Sequence, residues 1–211
     1  MIQNLILVIL IIFLLCSACE TQSTEITVKP VKQEIEIFYY FDDSIQDHQT
    51  IMMNIKTVLV DVTYNVGINF YETDELTKGV VEFKYIKDKN HATVGKCDYP
   101  IVVISSGRLR IAYHEIFHML GMQHTHQRYD RYDYITVNYD NIPSDVVFAF
   151  DIIDADNFLY NVDDYDYDYD SIMHYSSKTF GDIIKHIDGS LISSAELPSE
   201  MDWQKLNDIY N

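Results

Sequence analysis

The apolar and polar positions of this 211-residue chain repeat first with the period of a strand and then with that of a helix. Residues 34–41 place Ile35 and Ile37 on one face, which predicts a strand. Three possible capping residues follow, after which apolar side chains recur at spacings of three and four until Gly67, which predicts an amphipathic helix. The capping residues are Asp42, Asp43 and Ser44, and the apolar stripe is Met52, Ile55, Leu59 and Val62.

Short apolar runs then predict further strands at residues 68–71, 80–86 and 100–104, and residues 91–95 can form an edge strand. In the second run, Val81, Phe83 and Tyr85 alternate with Glu82 and Lys84. A second helix is predicted around residue 114. The order of strand, helix, several strands and helix indicates an α+β fold, in which a mixed sheet is backed by two helices.

Beyond residue 134 the pattern loosens, and loops are predicted until a short helix at residues 201–210. Ser199 is the expected N-cap of this helix, with Asp202 three residues later. Residues 163–170, DDYDYDYD, form an acidic run that lacks the glycine and final glutamate of an EF-hand. A solvated loop is therefore favoured over a calcium-binding loop.

The N-terminal stretch has a different character. Residues 5–15 are an unbroken apolar run, which is short for a bilayer span but has the length of a signal-peptide core. No Lys or Arg precedes the run, so an uncleaved anchor remains an alternative, and Ser17, Ala18 and Cys19 resemble the end of a bacterial lipoprotein box. We therefore expect a signal at 1–19, a polar tether at 20–33 and a folded domain at 34–211. The protein is expected to be secreted or extracytoplasmic, either free or membrane-attached through its N-terminus by lipidated Cys19 or the anchor.

The net charge limits the possible binding partners, and the cysteine count limits the possible disulfides. The net charge of −18 argues against nucleic acid and anionic membrane surfaces, because phosphate binding requires clustered Lys and Arg. Removal of a signal leaves Cys97 alone or with Cys19, from which no disulfide framework can be built. Cys97 is either a buried small hydrophobic residue, which is favoured, or a free thiol, and a thiolate that binds the metal described next is a further alternative.

The stretch HEIFHMLGMQH at residues 114–124 has the spacing of a zinc site. His114 and His118 lie one turn apart on a helix, so both imidazoles can reach one ion at about 2.0–2.1 Å. Gly121 can adopt a left-handed conformation that ends the helix and returns His124 to the ion. Glu115, next to the first ligand, has the position of a general base for metal-bound water. This pattern is the metzincin signature and predicts one catalytic Zn²⁺.

The residues after this motif resemble one metzincin family. HTHQRYDRYDYITVNYDNI at residues 124–142 is similar to the astacin family of zinc endopeptidases, whose members typically read HExxRxDRDxYVxIxxxNI. YDYDSIMHY at residues 167–175 resembles the family's methionine-turn stretch, and LPSEMDWQKLNDIY resembles its closing SxxDxxxINxLY. The resemblance covers the chain from residue 34 onward, strongly after His114 and weakly before it.

The resemblance implies a metzincin-like two-lobed α+β domain. Its N-terminal lobe would contain a mixed twisted sheet with two long helices, and its C-terminal lobe would be mostly irregular and end in a short helix. The implied roles are zinc ligation by His114, His118 and His124, proton transfer by Glu115, a turn beneath the metal at Met173, and a fifth ligand at Tyr175. The Tyr175 phenol would leave the metal to hydrogen-bond the oxyanion. His174 is expected to be structural, and no ligand spacing is found for His48, His91, His126 and His186.

The chain also departs from the family pattern. Thr125 stands where the family has a Glu that, in typical members, pairs with the mature N-terminal amine. The stretch before residue 34 lacks the FxGD aspartate switch, so we expect no zymogen of the usual kind and an N-terminus that stays outside. Tyr132 replaces a family Asp, and the family's disulfide cysteines are missing.

Two functions from different classes follow. The favoured one is a monomeric zinc-dependent endopeptidase that hydrolyses extended protein or peptide substrates, with neutral or basic proteins easier to attract. The alternative is a non-catalytic or weakly active binding protein on a metallopeptidase scaffold, in which the Thr125 change has cost turnover. The intact Glu115 and histidine ligands weigh against this alternative.

Overall fold

A five-stranded mixed sheet forms the first half of the fold in the computed structural model, which describes residues 34–211. The strands lie in the order β2-β1-β3-β5-β4. β1, β2, β3 and β5 are parallel, whereas β4 pairs antiparallel with β5 at the edge. The predicted mixed sheet is confirmed, and its strands are β1 (Ile35–Phe41), β2 (Ile68–Glu72), β3 (Val81–Lys84), β4 (His91–Ala92) and β5 (Ile101–Val103).

Three helices complete the described fold: α1 (Gln49–Val66), α2 (Leu109–Met119) and α3 (Glu200–Tyr210). α1 contacts both α2 and α3, and the main hydrophobic core includes residues from all three helices and the sheet. Burial of apolar surface between these layers is the dominant stabilising term, and it fixes α2 against the sheet. The predicted stripe on α1 is confirmed as core, because Ile55, Leu59 and Val62 are buried and Met52 packs against them.

The start of α1 differs from the prediction. Asp42 caps a short 3₁₀ helix, Asp43–Ile45, by accepting a hydrogen bond from the Ser44 N–H at 2.9 Å. Ile45 is fully buried, so the chain turns once to place this side chain in the core before α1 begins after His48. The end of α1 is as predicted, with Gly67 in a left-handed conformation at φ 85°.

The C-terminal part is mostly irregular, as predicted, but it contains a small sheet that the sequence pattern did not indicate. β6 (Ile135–Val137) and β7 (Ile184–His186) pair antiparallel. Each has only three residues, too few to establish an alternating pattern. The helix α3 begins at Ser199 with a capping box completed by Asp202, which confirms the predicted N-cap.

The favoured prediction for Cys97 is wrong, and the prediction of a solvated loop at residues 163–170 is confirmed only in part. Cys97 is exposed, in an irregular stretch after Gly95, and it lies outside the cluster of three histidines. The acidic run is only partly solvated, because Tyr167 and Asp168 are buried. The Asp168 carboxylate accepts a hydrogen bond from the Ser199 hydroxyl at 2.6 Å, which draws this part of the run inward.

The predicted signal, the tether and Cys19 fall within residues 1–33 and lie outside the described residues. Within residues 34–211, no helix combines the length and the apolar character that crossing a bilayer requires.

Candidate zinc site

Three histidine side chains converge on one point. Nε2 of His124 lies 3.2 Å from Nε2 of His114 and 3.1 Å from Nε2 of His118. Nitrogen ligands at about 2.0–2.1 Å from a tetrahedral zinc are roughly 3.3 Å apart, so the spacing suits one ion. Within residues 34–211, this is the one cluster of three or more His, Cys, Asp or Glu side chains with such spacing.

The other ring nitrogen of each histidine faces an oxygen acceptor. The three Nδ1 contacts are His114 to the Ile172 carbonyl at 2.8 Å, His118 to the Met122 carbonyl at 2.7 Å and His124 to Gln127 Oε1 at 2.9 Å. Each acceptor favours the tautomer in which Nδ1–H donates and the Nε2 lone pair is free. Burial lowers the pKa of all three rings, that of His114 to about 4, which keeps them neutral. The donor set therefore fits a zinc ion.

A helix-ending turn places the third histidine. The Gly121 N–H donates to the His118 carbonyl at 2.8 Å, and the Met122 N–H donates to the Phe117 carbonyl at 2.9 Å. These bonds form a Schellman motif, and Gly121 has the required positive φ of 102°. The predicted left-handed turn is confirmed, and its Met122 carbonyl is also the acceptor that orients His118.

The turn around Met173 holds two of the ligand-bearing segments. Met173 is fully buried, and its carbonyl accepts the Thr125 N–H at 3.1 Å, next to His124. The preceding residue, Ile172, accepts from His114 through its carbonyl. One short turn therefore links the first ligand to the segment that follows the third.

Glu115 lies in the same cleft as the three histidines. Its side chain is buried, and Oε2 has no hydrogen-bond partner among the described residues. Burial raises the pKa of Glu115 to about 8. Oε2 is therefore not occupied by a donor from the described residues, and burial favours the protonated form of the carboxyl group in the metal-free protein.

Tyr175 borders the three histidines from the methionine-turn side. Its ring centroid lies 4.5 Å from that of His124 and 6.5 Å from that of His114, and the ring stacks on His126 at 4.2 Å. Burial and the charge of Glu115 raise the pKa of Tyr175 to about 12, so the phenol remains a protonated donor. The structure thus brings all five predicted site residues to one cleft.

The cleft has a volume of about 470 Å³ and is bordered by the edge strand β4. His91 and Ala92 of β4 line it directly. The remaining wall is mainly apolar, and it also includes three polar side chains, Asn90, Gln123 and Gln127. Its apolar residues are Val94, Val146, Phe148, Ala149, Ile153 and Phe180.

The two other buried histidines near the site hydrogen-bond within the protein. His174 Nε2 lies 2.9 Å from the Tyr167 hydroxyl, and its Nδ1 lies 2.7 Å from the Tyr175 carbonyl. His126 Nε2 lies 2.9 Å from the Ala149 carbonyl. Neither belongs to the converging cluster, as the sequence spacing predicted.

Sequence reasoning missed Gln127, whose side chain is the acceptor for His124. The contact depends on a 3₁₀ turn, Thr125–Gln127, that brings position 127 back onto the ring. No sequence signal marked it. Asp202 was identified only as a helix cap, although it also holds the methionine turn by accepting the Ile172 N–H at 2.8 Å.

The helix with two ligands and a buried glutamate, the glycine turn and the third histidine together define the metzincin class of zinc peptidase domains. The particular family follows from comparison with known proteins. Residues 26–211 match the model of the Astacin peptidase family. The chain therefore belongs to the astacin family.

Individual relatives agree with this family. The chain is 36% identical over 108 residues to the zinc metalloproteinase nas-6 of Caenorhabditis elegans, covering 48% of this chain and 31% of that protein. It is 31% identical over 151 residues to nas-11 of the same organism, covering 68% and 25% respectively. The low choriolytic enzyme of Oryzias latipes is 36% identical over 103 residues, covering 46% and 36%. The match thus spans between about a quarter and a third of each relative's length.

A solved structure supports the fold. The high choriolytic enzyme 1 of Oryzias latipes (Medaka fish), a hatching enzyme zinc-protease, superposes with a TM-score of 0.71 at 24% sequence identity. The superposition covers 87% of this chain and 93% of that one. The expected astacin-type α+β fold is therefore confirmed.

Proposed function

We propose that this chain is a zinc-dependent endopeptidase that hydrolyses peptide bonds in extended protein substrates. The observation that carries the proposal is the convergence of three neutral imidazoles by their Nε2 atoms beside an unpaired, buried carboxyl group. His114, His118 and His124 would hold Zn²⁺, which when bound supplies a Lewis acid for the substrate carbonyl and lowers the pKa of its water to about 7.

Glu115 and Tyr175 have complementary roles in this proposal. Glu115 takes a proton from the attacking water and returns it to the leaving amine, since its Oε2 has no other hydrogen-bond partner among the described residues. Tyr175, protonated at neutral pH, donates a hydrogen bond to the oxyanion that develops on the substrate carbonyl. The negative charge of the intermediate then lies against a fixed donor.

The position of β4 supports binding of an extended peptide. β4 is the last strand of the sheet and pairs only with β5 within the described sheet, so its outer edge has free backbone groups. This edge borders the cleft. A substrate segment can pair with it as an added strand, which binds the main chain with little dependence on side-chain identity.

The setting of the enzyme is part of the proposal. We propose that it is exported and acts as a monomer, without nucleic acid as a partner. The apolar run at residues 5–15 and the net charge of −18 support this.

The test is a casein digest by the purified protein, with metal analysis before and after chelator treatment. We expect about one zinc per chain and cleavage that stops on chelation and returns with zinc. Glu115→Gln should keep the zinc and lose nearly all turnover, because the amide retains the shape but cannot accept the proton. Glu75→Gln, an exposed control, should behave as wild type. Folded protein without zinc, or chelator-resistant cleavage, would show that the proposal is wrong.

Tyr175→Phe should have a smaller effect. We expect kcat to fall by about ten- to a thousandfold, as for loss of one oxyanion donor, with little change in KM. Steady-state kinetics on a fluorogenic peptide measure both constants. An unchanged kcat would remove Tyr175 from the mechanism.

A further inference from the structure

The C-terminal helix α3 carries a lysine in the interior of the protein. The Lys205 side chain is 1% exposed, and its Nζ lies 4.0 Å from Asp168 Oδ2. The same ammonium faces the rings of Tyr160 and Tyr165 at 5.8 and 5.6 Å. Asp202, one turn earlier on α3, is fully buried. Lysine is almost never fully buried unless it is paired, and the proposed catalytic steps do not use this cluster.

The two acidic residues of this cluster hold neighbouring backbone in place. Asp202 Oδ2 accepts the Ile172 N–H at 2.8 Å and the Ser199 N–H at 3.0 Å, and its Oδ1 accepts the Ser171 hydroxyl at 2.6 Å. Asp168 Oδ2 accepts the Ser199 hydroxyl at 2.6 Å. The two bonds from Ser171 and Ile172 therefore tie the start of α3 to the turn that contains Met173.

That turn also orients a zinc ligand. The Ile172 carbonyl accepts the His114 Nδ1–H at 2.8 Å, so Ile172 is held by Asp202 on its N–H side and holds His114 on its carbonyl side. The Ser171 hydroxyl, which donates to Asp202, also accepts the Met173 N–H at 3.0 Å. A displacement of Asp202 would thus move the acceptor that sets the ring orientation of His114.

The two acidic residues of the cluster share one buried cation. Burial raises the pKa of Asp202 and lowers that of Lys205, whereas the hydrogen bonds from Ser171 and Ile172 and then the charge of Lys205 lower the pKa of Asp202. The neighbouring cation Arg128 is already engaged with Asp130, through two bonds of 2.9 and 2.7 Å. Loss of the Lys205 ammonium would therefore leave the Asp168 carboxylate, which holds the Ser199 hydroxyl, buried without a cation.

We propose that Lys205 is a positioning residue for the zinc site. Its ammonium pairs with Asp168, and Asp168 and Asp202 both hold Ser199 at the start of α3. Asp202 in turn fixes the turn at residues 171–173, which orients His114. The inference rests on the proposed zinc site, but it concerns a residue that touches neither the metal ligands nor the cleft.

The experiment measures zinc affinity in the full chain with a competing chelator, on variants first shown to be folded by circular dichroism. Lys205→Met should raise the zinc dissociation constant by up to the roughly 10- to 100-fold that loss of a direct hydrogen-bond partner of a zinc ligand causes. Asp202→Asn should do the same. The double variant should be little worse than either single one, because both changes break one chain of contacts. Gln204→Met, an exposed neighbour on α3, is the matched control and should bind zinc as wild type does.

Two results would overturn the inference: folded Lys205→Met with wild-type zinc affinity, or fully additive effects of the two substitutions. If Lys205→Met does not fold, Asp202→Asn decides, and wild-type zinc affinity in that variant overturns the inference. A failure of the proposed function is distinguishable, because the wild-type chain itself would then not bind zinc. A purely structural Lys205 would lower the unfolding midpoint while leaving the zinc dissociation constant unchanged.

Discussion

Glu115 is buried, so its charged form lowers the stability of the metal-free fold. Its folded-state pKa of about 8 lies above the ordinary value of 4.5, because burial disfavours the charged form. Its contribution to stability is therefore fully present below about pH 4.5 and is lost as the pH rises through 8. The carboxylate that the proposed reaction needs is thus the form that the metal-free fold tolerates least.

The first prediction follows from this loss of stability with rising pH. In chelator-treated protein, Glu115→Gln should be more stable than wild type by on the order of a few kcal/mol at pH 8, since one pKa unit corresponds to about 1.4 kcal/mol. The difference should shrink towards pH 5. Urea unfolding of both proteins at pH 5, 6.5 and 8 measures it, and the titrating histidines cancel because both proteins contain them. A difference that is independent of pH would contradict the raised pKa.

Gln127 is the orienting acceptor that a substitution can remove, because the acceptors for the other two ligands are backbone carbonyls. Its side chain is itself fixed, with Nε2 donating to the Asp151 carbonyl at 3.2 Å. The Gln127 carbonyl accepts the Ile153 N–H at 2.8 Å. His124 is therefore linked through Gln127 to the loop that contains Ile153, which forms part of the cleft wall.

The second prediction is that Gln127→Leu weakens zinc binding by about 10- to 100-fold. Gln127→Glu should weaken it less, because the carboxylate keeps the acceptor for His124 although it loses the donor to the Asp151 carbonyl. Competition with a chromogenic chelator measures both. Gln123→Leu is the matched control, since Gln123 lines the same cleft. Equal loss in the Leu and Glu variants would show that packing rather than the hydrogen bond matters.

For individual residues, sequence spacing predicted the relative positions that depend only on neighbours close in the sequence. His114, Glu115 and His118 share one helix, so their relative positions follow from the helical period. The acceptor for His114 is Ile172, 58 residues further along the chain, and no spacing rule connects the two. The burial of Asp168 likewise depends on Ser199, 31 residues away.

At the scale of the elements, the turn after α2 has two structural roles. It reverses the chain so that His124 can face the helix, and it presents the Met122 carbonyl to His118. A Cβ atom at Gly121 would collide with the Leu159 side chain, and φ of 102° is unfavourable for any L-residue. The helix cap and the metal site are therefore the same structure.

The third prediction is that Gly121→Ala lowers the free energy of unfolding by about 1–2 kcal/mol, the usual cost of a left-handed residue with a side chain. It should also weaken zinc binding. Gly189→Ala is the control, because Gly189 has φ of 85° and open space around its Cβ position. That variant should lose comparable stability in urea unfolding and bind zinc normally. Unchanged zinc affinity in Gly121→Ala would show that the zinc site does not depend on the helix cap at Gly121.

Elements with a long, repeated pattern or a compact apolar run could be predicted from the sequence. α1 was predicted because its stripe recurs over several turns, and β1 because it alternates over seven residues. β6 and β7 have three residues each and pair with each other across a long intervening segment, so their formation depends on the packed cluster around Phe150 and Ile192. That cluster exists only once the chain has folded.

At the scale of the whole molecule, Thr125 bears on whether the N-terminal ammonium can be buried beside the zinc site. Thr125 is 2% exposed, and its N–H is bound to the Met173 carbonyl, so position 125 lies in the interior beside the methionine turn. Its neutral hydroxyl cannot compensate a buried ammonium. The buried carboxylates attached to that turn, Asp168 and Asp202, already have Lys205 as their cation. Burial of an unpaired N-terminal ammonium would cost several kcal/mol.

The last prediction is therefore that activity is insensitive to the exact N-terminus. Chains beginning at Glu20 and at Lys29 should hydrolyse casein at rates within a few-fold of each other, and an added N-terminal tag should be tolerated. N-terminal sequencing by mass spectrometry, together with activity measured on the same samples, provides the test. A Thr125→Glu variant gives the matched comparison, because only that chain acquires a buried acceptor for a terminal amine. If wild-type activity appears only after one particular cut, the mature terminus is buried after all, and another acidic residue must take the place of the missing Glu.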